Sequence, residues 1–359
     1  AGMSVQSPGG WYDAGDYGKY TINSAIALES MLMGAEVYSK FYKNFDMEIP
    51  ESTNNTPDVL DEAMYNLKWM LTMIDTVDGC VAHKVTTKGF VSMVLPAETN
   101  DQRYMIGKST ATNYGFAAIM AKASRLYKNN PDYPDFSEKA MRYAKQAYEW
   151  AEKNPGIIFH NPDSIWTGSY TARFPEQFRF WANVELYLAT KEDKYVDLTA
   201  IGTFDYDVPT WQLPASLALM SLITGVDNGT VKGALKKKTE LHFSKLATLL
   251  YDRMEKSAGC FPLHKFEWGS NGSMSNAGSI LLLQYRHTGD KKYLKAAQDI
   301  TTYLIGRNAT GYCFVTGYGK KSPMFIHDRR STGDGIAETV SGRIDGGATL
   351  DAITDCDNY

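Results

Sequence analysis

Apolar positions along this chain recur mostly at the spacing of helices. Residues 17–43 carry Ile22, Ala25, Ile26 and Ala27 in a pattern that predicts a helix, and the stretch 44–55 after them is polar. Thr56 offers a capping hydroxyl with Pro57 at the first helical position, after which Leu60, Ala63, Met64, Leu67, Leu71 and Ile74 keep one face. Ser109 opens a helix running to about Tyr127. Asp135-Phe136-Ser137-Glu138 has the form of a capping box ahead of Ala140, Tyr143, Ala147 and Trp150. Further helices are predicted over 176–190, 214–224, 230–255, 271–287 and 290–305. Between 78 and 99 the pattern weakens into a Gly-, Thr- and Val-rich excursion with short strands at most. Long loops at 44–55, 78–99, 155–172 and 205–214 alternate with short turns. The series predicts an all-α ring of antiparallel helices whose long loops gather at one end and frame a groove.

Composition narrows what such a groove holds. The 359 residues exceed the usual domain length, yet a closed ring accommodates them as one domain spanning 1–359. A net charge of −4 gives no electrostatic case for nucleic acid or an anionic membrane, and no apolar run is long enough to span a bilayer. A neutral polymer suits it better. The 23 Tyr and 7 Trp supply flat apolar faces of the kind that stack on sugar rings, beyond those the core consumes. Cys80, Cys260, Cys313 and Cys356 lie far apart without metal-ligand spacing, which argues against structural zinc and leaves disulfides and buried thiols both open. The chain opens at Ala1, the beginning expected of a processed or excised piece.

The chemistry concentrates in Gly10-Trp11-Tyr12-Asp13-Ala14-Gly15-Asp16-Tyr17-Gly18-Lys19-Tyr20. Gly9, Gly10, Gly15 and Gly18 allow backbone conformations closed to other residues, and four aromatics flank two carboxylates. Acids three positions apart on a tight loop repel each other, so their pKa values separate, and a base that activates water needs that control. The competing local reading is an Asx turn in which Asp16 caps the following helix. A second polar cluster, His327-Asp328-Arg329-Arg330-Ser331, sits in a Gly-flanked stretch where a histidine is hard to bury.

The first motif resembles the amino-proximal signature of glycoside hydrolase family 9, the inverting cellulases. Matches follow in the family's order: Leu60-Asp61-Glu62, Cys80-Val81-Ala82-His83-Lys84-Val85, Arg103 to Ala111, Trp268-Gly269-Ser270-Asn271, Gly306 to Gly311, and Val315 to Gly319 leading into the His327 cluster. The resemblance implies an (α/α)6 barrel, incomplete at both ends, that hydrolyses internal β-1,4-glucosidic bonds of cellulose or related glucans with inversion. It makes Asp16 the catalytic base and Asp13 its helper. It also implies substrate contacts from His327, Arg329, Tyr12, Trp11, His83 and Trp268, with Tyr359 lining the site. Inverting chemistry needs a carboxylic acid about 6.5–9.5 Å from the base; Asp13 and Asp16 therefore form one wall rather than the pair. The family's proton-donating Glu lies four positions beyond the tyrosine that Tyr359 matches, where this sequence ends. A glycan-binding module without hydrolysis, or an exo-acting hydrolase of cello- or glucosamine oligomers, are the competing functions. No cofactor is required. Relatives often hold calcium with an Asp-Glu pair ahead of a W-x-x-x-E-L-Y helix, whereas Gln177-Phe178 stand ahead of Trp181 to Tyr187 here. Ile326 replaces a proline of many relatives. A secreted monomer is expected.

Overall fold

Two burial habits separate the helices of this chain and set its architecture. The computed structural model describes residues 4–350. Chain order runs β1 (Lys19–Tyr20), α1 (Thr21–Val37), α2 (Ser39–Tyr42), α3 (Asp58–Thr72), β2 (Lys84–Thr86), β3 (Tyr104–Ile106), α4 (Thr110–Leu126), α5 (Phe136–Lys153), α6 (Pro175–Thr190), α7 (Ala215–Asp227), α8 (Gly233–Lys256), α9 (Ser270–Thr288), α10 (Lys291–Leu304) and α11 (Arg329–Gly333). Every residue of α4 except Arg125 and Leu126 is buried, as is all of α7 except Asp227. By contrast α5 buries one stripe through Ala140, Ala144, Ala147 and Ala151, and α10 one through Tyr293, Ala296, Ala297 and Ile300. Helices buried all round line the inside of a ring, and amphipathic ones form its outer surface. Accordingly α1 packs on α4, α4 on α6, α6 on α7 and α7 on α9, with α5, α8 and α10 outside.

Where the inner helices meet, the core is charged. Lys122 of α4, fully buried, contacts Glu29 of α1 and lies 3.6 Å from Glu185 of α6, while the Ser221 hydroxyl of α7 sits within hydrogen-bond reach of both carboxylates. Arg125 extends the cluster to Glu36. Burial pushes the Glu29 carboxyl up, opposed by the Lys122 ammonium beside it. A charge set of this kind persists in a core only because each member is paired.

The all-α expectation holds, with several local corrections. The predicted 17–43 helix begins only at Thr21, because Lys19 and Tyr20 pair with Val85 and Lys84 in a three-stranded antiparallel sheet β1-β2-β3, and it breaks at Tyr38. Thr56 does not cap α3; its hydroxyl donates to Asp132, and Pro57 takes the capping position. Asp135 makes no capping hydrogen bond to α5. Ser109 does cap α4, accepting from the Thr112 N–H at 3.1 Å. The excursion after Asp78 contains β2, whose partner β3 holds it beside the acidic loop. Cys80, Cys260 and Cys313 are free thiols; Cys356 lies outside the described residues.

Candidate active site

The Asp13–Gly18 turn is closed by the Asp13 N–H donating to Gly18 O at 3.0 Å and is anchored below by β1. Gly9 and Gly10 have φ of +71° and +79°, as a glycine-rich entry requires. Gly15 and Gly18 are glycines for a different reason, namely space. A Cβ on Gly15 would lie 1.9 Å from His327 O, and one on Gly18 would lie 2.7 Å from Asp16 Oδ2. The acidic loop is therefore pressed directly against the His327 loop, three hundred residues away in sequence.

Arg329 locks that contact. Its guanidinium donates to Gly15 O at 2.9 Å and to Val91 O at 2.8 Å, and its N–H reaches Gly15 O at 3.2 Å. Arg329 is buried, with its guanidinium a strut beneath the acids. Asp328 fixes the same loop by capping α11 at Arg330 and pairing with Arg343 at 2.6 Å.

The two acids have unequal surroundings. Asp16 is 6% exposed; its Oδ2 accepts from the Gly18 N–H at 3.0 Å and from the Tyr20 hydroxyl at 3.4 Å. Oδ1 has no described protein donor, which leaves an oxygen for water. The Gly18 bond is the local Asx-type turn that the sequence allowed, but Asp16 caps no helix, since α1 has Tyr20 at its N-cap and no side-chain cap. Asp13 is half-buried. Tyr170 donates to its Oδ2 and Asn23 Nδ2 to its Oδ1 at 2.7 Å. Burial pushes the Asp13 carboxyl up to about 6 against these two bonds, and Asp16 adds to the rise. Burial raises Asp16 as well, opposed by the Gly18 N–H, Arg329, Tyr20 and His327. Two carboxyls held above their ordinary range and bonded by neutral donors are suited to taking a proton from water.

Tyr170 carried no signal in the sequence. Its φ is +46°, in the left-handed region, and its ring sits edge-on between Tyr20 at 4.7 Å and Trp211 at 5.0 Å. A strap holds it there: Lys84 Nζ donates to Gly168 O at 2.7 Å and Asn161 Oδ1 at 2.7 Å. Strain of this kind persists where the surroundings over-determine it.

The remaining candidates divide. His83 is 1% exposed with Nδ1 on Thr112 and Nε2 at 3.0 Å from Ser169 O, and burial lowers it to about 4. Its neutral imidazole braces the Tyr170 loop. Trp11 is half-buried against the core with its indole N–H on Glu62. Tyr12 is exposed, with Lys19 and Arg103 over its ring, and Trp268 is 54% exposed rather than packed in the core. The Trp268 ring stands edge-on to His327 at 6.1 Å, and His327 Nδ1 is a buried nitrogen without a partner. Tyr359 lies outside the described residues.

The fold and this constellation can be set beside known proteins. The family model for glycosyl hydrolase family 9 matches residues 1–359. The chain belongs to that family. It is 37% identical to a xyloglucan-specific endo-beta-1,4-glucanase, BoGH9A, of Bacteroides ovatus across 97% of this chain and 62% of the relative. It is 31% identical to Endoglucanase D of Acetivibrio thermocellus across 94% of this chain and 55% of that protein. A solved Bacteroides ovatus GH9 structure superposes with a TM-score of 0.92 at 35% identity, covering 97% of this chain and 66% of that one. The chain thus spans about three fifths of the length of these two curated relatives, and the ring of helices is the (α/α)6 barrel that the resemblance implied.

Calcium does not fit the position where the resemblance expects it. Phe178 is fully buried, and Gln177 Oε1 accepts from the Ala215 N–H at 3.3 Å. Among the described residues no group of three His, Cys, Asp or Glu gathers to hold a metal. None of the described helices is long and apolar enough to cross a membrane.

Proposed function

We propose that this chain hydrolyses internal β-1,4-glucosidic bonds of a β-glucan with inversion, acting as a monomer outside the cell, where such polymers are found. Asp16 serves as the base through its Oδ1. Asp13, steered by Tyr170 and Asn23, holds the same water, and His327 and Trp268 meet the sugar next to the scissile bond. The observation that carries this reading is the seating of Gly15 on His327 O, which puts a paired carboxylate and an unpartnered imidazole nitrogen on one junction. Family membership and the names of the relatives support it, and one of those names brings xyloglucan into the assay beside cellulose. For the proton donor the resemblance expects a Glu four positions past the tyrosine that Tyr359 matches.

The test is reducing-sugar release from carboxymethylcellulose and xyloglucan, by this chain and by a form extended through that segment. Asp16→Asn should abolish release while leaving cellohexaose affinity within about twofold. Release that survives the substitution at near-normal rate would remove Asp16 from the role of base.

A further inference from the structure

Lys84 on β2 is closed off from water, and the oxygens around its ammonium are all neutral. Nζ donates to Asn161 Oδ1 at 2.7 Å, to Thr167 Oγ1 at 3.1 Å and to Gly168 O at 2.7 Å. Lys122, equally buried, has Glu29 and Glu185 beside it. A cation in a dry interior needs an opposing charge as well as hydrogen bonds, and for Lys84 that charge has to act from further away.

The strand pairing shows where it stands. Lys84 lies directly opposite Tyr20 in the β1–β2 pair, so both side chains leave the same face, and the ammonium is 5.5 Å from the centre of the Tyr20 ring. The Tyr20 hydroxyl in turn donates to Asp16 Oδ2 at 3.4 Å. Burial pulls the Lys84 ammonium down to about 8, and it is the Asp16 carboxylate that opposes the fall. A second route leads to the other acid. The three oxygens held by Lys84 belong to Asn161, Thr167 and Gly168, and Tyr170 follows two residues later with its strained φ of +46° and its hydroxyl on Asp13. A Cβ at Gly168 would sit 2.9 Å from the Tyr170 ring, so the pinned carbonyl and the steering phenol are packed against each other. One ammonium thus stands behind both carboxylates, by its field toward Asp16 and by its bonds toward Asp13.

We infer that Lys84 is a positioning residue for the acid pair: its ammonium pins the strap that brings Tyr170 to Asp13 and supplies a counter-charge to Asp16. The inference rests on the glucanase reading and adds to it the side chain that couples the two acids. A positive charge favours the ionised form of a carboxyl, as does a donated hydrogen bond, so removing Lys84 raises both acids. The other groups that bear on them stay in place: Tyr20, His327 and Arg329 at Asp16, Asn23 and Asp16 at Asp13, and His83 beside Lys84 on its own strand.

The test is a pH titration of the chain carrying carboxyl-13C aspartate, with the Asp13 and Asp16 resonances assigned from Asp13→Asn and Asp16→Asn. In Lys84→Met, which keeps the length of the side chain without its charge, Asp13 should titrate about one pH unit above its wild-type value, and Asp16 should move in the same direction. Added to Tyr170→Phe, the same substitution should move Asp13 much less, because the route through the phenol is already cut, while Asp16 should still rise. Lys84→Gln keeps N–H donors for the strap but no charge; it should raise Asp16 and leave Asp13 nearer to wild type. Circular dichroism checks the fold of each variant. Asp13 and Asp16 unmoved in a folded Lys84→Met would overturn the assignment. So would loss of the fold in both single variants, which would make Lys84 a structural residue alone. The titration involves no turnover, so failure of the extended form to release sugar would count against the glucanase reading and leave this coupling standing.

Discussion

At the scale of single residues, the site depends on how Asp13 is held. Tyr170 donates to the ionised carboxylate and so opposes the rise that burial imposes; the balance leaves Asp13 at about 6. Removing the phenol hydroxyl in Tyr170→Phe takes away a bond that favours the charged form, so the pKa moves further up. The acid limb of kcat/KM should move to higher pH, and turnover at its optimum should fall by about one to two orders of magnitude, in keeping with the roughly 1.5–3 kcal/mol of a hydrogen bond to a charged group. A pH profile of the variant against wild type checks both; an unmoved limb would mean that Asp13 does not titrate in the reaction. Legibility at this scale was uneven. Asp13, Asp16 and His327 could be picked out because acids in a glycine turn and a histidine among arginines are costly to bury. Tyr170 could not, because nothing about a tyrosine in a polar loop announces a φ of +46° or a partner 157 residues away.

At the scale of elements, the inner helices are joined by charge as well as by apolar packing. Lys122 faces Glu29, Glu185 and Ser221 from three different helices, all in the dry interior. Lys122→Met should therefore destabilise the fold by about 3–5 kcal/mol, since it strands carboxylates that have no route to water. Urea unfolding followed by circular dichroism measures this, and Glu29→Gln in the same chain should return part of the loss. A Lys122→Met variant as stable as wild type would show that the cluster is already neutral. The helices themselves were legible from spacing, whereas their inner or outer places emerged only from their burial in the fold. Their starts were less so: Thr56 has the right chemistry for a cap but spends it on Asp132 across a loop, and Asp135 makes no capping bond. β2 falls in the 78–99 excursion where short strands were expected, while β1 and β3 escaped the pattern because two or three residues are too few to show a period.

At the scale of the whole molecule, the ring brings distant loops to one junction, where Gly15 touches His327, Arg329 bridges to Val91, and the 161–170 loop reaches Asp13. Family resemblance correctly named the barrel, but not the bonds that bury His83 and Arg329 and half-bury Trp11. Such placements follow from packing, which a motif does not encode. The central claim is that the acid pair delivers water to the anomeric carbon from the face opposite the leaving oxygen. The most direct measurement is proton NMR of the first sugar released from cellohexaose, read before mutarotation: this account requires the α-anomer, and early accumulation of the β-anomer would contradict it.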